Sequence, residues 1–125
     1  MSTFLGRVLV VDDEPQVSAM LQETLNYLGY VAEVASSGED ALRALQDSQP
    51  NLLLLDVSLP GMSGVNVLER VHATYPHLPV VMLTGNVDLE VAQRTLNQGA
   101  FDYIAKPFDL ARLRQVVEAA MAAGG

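Results

Sequence analysis

The sequence predicts an α/β fold, a doubly wound parallel sheet of five strands with five helices distributed over both faces. Two observations carry this: four uninterrupted apolar runs of three to five residues recur along the chain, and the intervals between them change to helical apolar spacing. The size agrees, because 125 residues, half of them hydrophobic, can bury one core. One domain is therefore expected over residues 1–125, with its packed part from about 6 to 122.

Taken in order, Val8-Leu9-Val10-Val11 reads as a strand buried on both faces. Val17, Met20, Leu21, Thr24, Leu25 and Leu28 then form one apolar helical face, with Pro15 in its first turn and Gly29 at its end. Val31 to Ala35 alternates, as a strand near a sheet edge does. Ala41, Leu42 and Leu45 begin a second helix, for which Ser36 and Glu39 have capping-box spacing. Leu52 to Leu55 is the third strand, and Val67, Leu68 and Val71 mark a helix capped by Ser63. Val80 to Leu83 is the fourth, with Thr84 at its end, followed by a helix through Val87, Val91 and Leu96 that Asn86 caps and Gly99 closes. Tyr103-Ile104-Ala105, led in by Phe101, is the fifth. Leu110, Leu113, Val117, Ala120 and Met121 continue from an Asp109 cap, and Ala119 to Gly125 reads as a tail. Strand–helix alternation with short connections implies right-handed crossovers and helices on both faces.

Composition removes several classes of function. There is no cysteine, hence no disulfide framework or thiolate metal site, and no apolar run long enough to span a membrane. The start, Met1-Ser2-Thr3-Phe4, lacks a signal-peptide layout, so a cytoplasmic domain is expected. A net charge of −8 argues against this domain coating nucleic acid or anionic lipid. Six of the seven basic residues are arginine, which leaves Lys106 as the single lysine. Five acids fall in three short stretches, Asp12-Asp13-Glu14, Asp56 and Asp102.

In open α/β sheets a ligand binds beyond the carboxyl ends of the strands. Asp12 and Asp13 follow the first strand, Asp56 the third and Lys106 the fifth, while Thr84 ends the fourth. Taken singly, each has a plainer role: a helix cap for the Asp12-Asp13 pair, a β-branched strand residue for Thr84, a solvated charge for Lys106. Together they bring three carboxylates, a hydroxyl and the only lysine to one rim. Carboxylates crowded within about 4 Å repel by several kcal/mol per pair at an effective dielectric near 20, so the group needs counter-charge. A hard divalent cation with oxygen ligands, joined by one ammonium, supplies it. Mg²⁺ suits two or three carboxylates that leave positions for water and phosphate. Zinc does not, because His72 and His77 fall at the other end of the strands and match no metal spacing. A carboxylate so surrounded can attack a phosphoryl group. Glycoside hydrolysis, the rival two-carboxylate chemistry, calls for stacking aromatics, and the chain has no Trp.

These residues resemble the receiver domains of two-component response regulators, over essentially the whole chain from Val8 to about Met121. The carriers are Val8-Leu9-Val10-Val11-Asp12-Asp13-Glu14-Pro15, Leu55-Asp56-Val57-Ser58-Leu59-Pro60-Gly61-Met62-Ser63-Gly64, Val80-Val81-Met82-Leu83-Thr84-Gly85, and Gly99-Ala100-Phe101-Asp102-Tyr103-Ile104-Ala105-Lys106-Pro107-Phe108. The resemblance implies a flavodoxin-like strand order 2-1-3-4-5. It implies that Asp56 is the phosphoacceptor and that Mg²⁺ is held by Asp12, Asp13, Asp56 and the backbone carbonyl of Ser58. Lys106, followed by a cis Pro107, would pair with phosphoryl oxygens, Thr84 would donate its hydroxyl, and Tyr103 would be the aromatic switch. Gly85, alanine in many relatives, would keep the site open, and Ser58 and Asn86 would affect the lifetime of the phosphate.

The implied partners are a histidine kinase or histidine phosphotransfer protein. The implied output is a population shift of the face made by the fourth helix, fifth strand and fifth helix, which would control a partner or a fused effector. A homodimer through that face and transcription regulation as the output are both left open, although Gly99 to Leu113 resembles receivers attached to ATPase-type transcriptional activators. The domain is not expected to be an enzyme beyond its own phosphorylation and dephosphorylation. A phosphate-independent interaction module and a small-molecule phosphohydrolase are the competing readings.

Overall fold

The computed structural model describes residues 4–85 and 89–124. Its elements alternate as β1 (Arg7–Val11), α1 (Pro15–Leu28), β2 (Val31–Ala35), α2 (Gly38–Asp47), β3 (Leu52–Asp56), α3 (Gly64–Thr74), β4 (Val80–Thr84), α4 (Leu89–Asn97), β5 (Asp102–Ala105) and α5 (Leu110–Gly124). All strand pairs are parallel, and the order is β2-β1-β3-β4-β5. This is the doubly wound α/β arrangement expected. The direction in which successive strands are added reverses between β1 and β3, so connections leave their carboxyl ends toward opposite faces.

The apolar runs form strands because side chains of either parity have a core to enter. Val8, Val10, Leu52, Leu54, Val81 and Leu83 pack with Leu21 and Leu25 of α1 and Leu113, Val116 and Val117 of α5. Their neighbours Leu9, Val11, Leu53, Leu55, Val80 and Met82 pack on the opposite face with Ala41 and Leu45 of α2 and Val67, Leu68 and Val71 of α3. Val91 of α4 joins that second layer. β3 and β4 are buried at every position, whereas β2 exposes Val31, Glu33 and Val34, as an edge strand does.

Most of the expected punctuation forms. Pro15 lies in the first turn of α1, and Gly29 ends that helix at φ 107°. Ser63 accepts from the Asn66 amide at 3.3 Å, and Asp109 accepts from the Ala111 amide at 3.0 Å. Gly99 is left-handed at φ 109°. Three details differ. The cap of α2 is Ser37, whose hydroxyl accepts from the Asp40 amide at 3.1 Å, so the Ser36 and Glu39 box does not form. Either serine satisfies the pattern, and the β2 register that sets where the chain turns is a tertiary matter. The expected tail is helical instead, because α5 continues to Gly124 with Ala120 buried against the sheet. The third strand also extends one residue further than its leucines, taking in Asp56. Asn86 and Val87 lie outside the described residues.

Candidate phosphoacceptor and metal site

Main-chain pairing beyond the strands fixes the rim. The Asp12 amide donates to Ala35 O at 3.2 Å, the Val57 amide to Leu83 O at 2.9 Å, and the Lys106 amide to Thr84 O at 2.7 Å. Asp12, Asp56, Thr84 and Lys106 are thereby carried to one end of the sheet, as expected. Asp12, Asp56 and Thr84 are buried, Lys106 is mostly so, and Asp13 is exposed. The Lys106-Pro107 bond is cis.

Each buried carboxylate is held by its own loop. Asp12 Oδ1 accepts from the Glu14 amide at 2.9 Å, and Asp56 Oδ1 accepts from the Ser58 amide at 3.0 Å. The other oxygen of each meets the lysine, with Lys106 Nζ 2.9 Å from Asp12 Oδ2 and 3.0 Å from Asp56 Oδ2. Although close to the ammonium, Asp12 Oδ2 is buried without an aligned hydrogen bond. An acceptor paired by charge but not by an aligned hydrogen bond fits a further cation better than it fits a dry interior. Asp12, Asp13 and Asp56 each offer an oxygen within 4.8 Å of the others, so this group could bind a metal.

Burial raises the Asp56 pKa above the usual carboxylate value, and the nearby Asp12 charge adds to this; the Ser58 amide and Lys106 oppose it without cancelling it. Burial pulls the Lys106 pKa down, but the adjoining carboxylates of Asp12 and Asp56 outweigh it, and the net displacement is strongly upward. The ammonium therefore stays charged throughout the neutral range.

Backbone space is uneven around the site. A Cβ on Gly64 would collide with the Asp56 carbonyl and fall 2.8 Å from Val57 Cα, so the start of α3 is pressed against the end of β3. A Cβ on Gly85 would meet nothing within 4 Å. The Thr84 hydroxyl donates to Gly85 O at 3.2 Å. Ser58 is exposed, and Tyr103 is half-buried against the layer that includes α2 and α3. Both histidines lie away from the cluster: His77 lines a cleft of about 390 Å³ with Asn51 and Pro79 ahead of β3 and β4, and His72 sits over Gly99.

Three residues were not singled out by sequence. Glu14 Oε1 lies 3.4 Å from Lys106 Nζ; its place beside Asp12-Asp13 was visible, its partner 92 positions away was not. Arg112 of α5 donates to Asp102 Oδ1 at 3.2 Å and to the Tyr103 carbonyl at 3.0 Å, with no motif to announce it. Gly64 stood in the motif, but its contact with Asp56 needed the fold.

Fold and site together define an aspartate-centred α/β domain whose buried carboxylates share one ammonium. The family model for the response regulator receiver domain matches residues 8–118, and the chain belongs to that family. It is 36% identical over 116 residues to the DNA-binding transcriptional regulator NtrC of Proteus hauseri, covering 93% of this chain and 24% of that protein. With the regulatory protein AtoC of Escherichia coli it shares 35% over 119 residues, 95% of this chain and 26% of AtoC. The chain thus spans about a quarter of these curated relatives. The crystal structure of the receiver domain of NtrX from Brucella abortus superposes with a TM-score of 0.90 at 36% identity, covering 92% of this chain and 98% of that one. Among the described residues no helix is long and apolar enough to cross a membrane.

Proposed function

We propose that Asp56 accepts a phosphoryl group from a histidine kinase or histidine phosphotransfer protein, within a single receiver domain over residues 1–125. A carboxylate oxygen of Asp56 forms a bond to phosphorus as the phosphorus–nitrogen bond of the donor breaks. The electron pair goes to the imidazole, and the product is an acyl phosphate. Asp12, Asp13, Asp56 and the Ser58 carbonyl would hold Mg²⁺, which supplies charge neutralisation for the phosphoryl oxygens. Lys106 is already placed beside the accepting carboxylate and pairs with a phosphoryl oxygen there. Thr84 turns its hydroxyl from Gly85 O toward the new anion. The observation that carries this reading is the buried Asp12 and Asp56 pair on one ammonium, with Asp12 Oδ2 left short of a hydrogen bond.

Tyr103 acts as the switch on β5, and the face of α4, β5 and α5 carries the output, by homodimerisation or by contact with an effector. In the regulators that the chain resembles, the remaining length and the name "DNA-binding" favour a fused transcriptional effector as the thing controlled. Ser58 and Asn86, two positions beyond Asp56 and Thr84, govern water access and the lifetime of the phosphate. The absence of cysteine suits a cytoplasmic setting. The test is mass measurement after incubation with Mg²⁺ and acetyl phosphate. One phosphoryl mass is expected on the unsubstituted chain and none on Asp56→Asn; a phosphorylated Asp56→Asn would remove the assignment.

A further inference from the structure

Glu14 is the acid of the first strand-end motif that the phosphoryl chemistry leaves without work. Its side chain is exposed, and its carboxylate lies 3.4 Å from the Lys106 ammonium at the mouth of the site. The other two ion-pair partners of Lys106 among the described residues are Asp12 and Asp56, both buried. On those two residues the Oδ1 atoms are already engaged by the Glu14 and Ser58 amides. The oxygens without main-chain hydrogen bonds are therefore the Oδ2 atoms, and these are the ones the ammonium faces. A divalent cation held by Asp12, Asp13 and Asp56 draws on the same negative charge, and two cations at such range repel. Lys106 must then loosen its hold on Asp12, and the acceptor already within reach on the solvent side is Glu14.

We propose that Glu14 is a positioning residue that takes up the Lys106 ammonium when a divalent cation enters the carboxylate group, and so lowers the cost of cation binding. The proposal rests on the reading of that group as a cation site. Glu14 acts through the lysine, not as a ligand, and this distinguishes it from a plain contribution of negative charge. The backbone role of residue 14, donating its amide to Asp12, is independent of the side chain and survives substitution.

The test follows amide chemical shifts of the ¹⁵N-labelled chain during a Mg²⁺ titration at constant ionic strength, for the unsubstituted protein, Glu14→Gln, Lys106→Met and the double variant. Glu14→Gln is expected to weaken Mg²⁺ binding roughly fivefold, the scale of one exposed ion pair. In the Lys106→Met background the same substitution is expected to change affinity less than twofold, and Glu14→Asp in the native background to restore most of it. Equal weakening in both backgrounds would mean that Glu14 acts on the cation directly and would overturn the proposal, as would an unchanged affinity in Glu14→Gln. No saturable response in the unsubstituted chain would remove the cation site itself, an outcome distinct from either.

Discussion

Gly64 is pressed against the main chain of Asp56, closely enough that any side chain at position 64 would occupy the space of the Asp56 carbonyl. The Gly64 amide also donates to Val57 O at 3.1 Å, which ties the start of α3 to the residue after the candidate phosphoacceptor. The glycine is needed here for room, since its backbone is not among the left-handed ones. Gly64→Ala should therefore destabilise the fold by about 2–3 kcal/mol, near the upper end for overpacking. It should also lower the extent of phosphorylation by acetyl phosphate; urea unfolding and intact mass read the two effects.

Gly85 is the opposite case, because a methyl group there projects into open space. Gly85→Ala should leave stability within about 0.5 kcal/mol of the unsubstituted chain. The same methyl narrows the approach to the site, so loss of phosphoryl mass after removal of the donor should slow. Faster loss would place the water path elsewhere.

Asp56 carries a pKa above its ordinary value, chiefly from burial, and that net rise already includes the attraction of Lys106. A group raised in this way contributes stability that is full below its unfolded pKa and is lost as pH rises through its folded pKa. At neutral pH without divalent cation, its ionised form therefore costs stability. Asp56→Asn should melt a few degrees above the unsubstituted chain at pH 7, and the gap should close as pH falls and Asp56 takes up its proton. Calorimetry from pH 7 to 4 checks both the sign and the trend.

Arg112 holds the Tyr103 carbonyl while Asp102 Oδ1 accepts from the Tyr103 amide at 2.7 Å. The pair is partly exposed, so Arg112→Ala should cost at most about 1 kcal/mol of global stability. Its local effect should be larger, with faster amide hydrogen exchange in β5 than in β1 or β3 relative to the unsubstituted chain. Uniform change across the sheet would show that the contact does not anchor β5 in particular.

How much of this was legible varied with the range of the contact involved. Leu52 to Leu55 declared a strand because a run with both parities apolar has few other uses, and Val17 to Leu28 declared a helix by spacing alone. Asp12, Asp56, Thr84 and Lys106 could be placed together because strand ends in a parallel sheet share one rim. The choice of Ser37 over Ser36 was not legible, since it depends on where β2 releases the chain. Ala120 and Met121 were legible as part of the last helix by their spacing, but its continuation to Gly124 was not, since glycine gives no helical signal. Glu14 with Lys106, and Arg112 with Tyr103, are meetings of side chains that carry no spacing rule.

The two apolar layers sort by strand parity, and the sheet stands between them as a partition. On β5 adjacent residues report to opposite rooms: Ile104 belongs to the layer of α1 and α5, while Tyr103 packs on the side of α2 and α3. Phe108, two residues past Lys106, is back on the first side. A push that starts in one layer has no side-chain route through the backbone ladder into the other. One way around the rim runs through the turn that carries Lys106, which links Tyr103 on one side to Phe108 on the other.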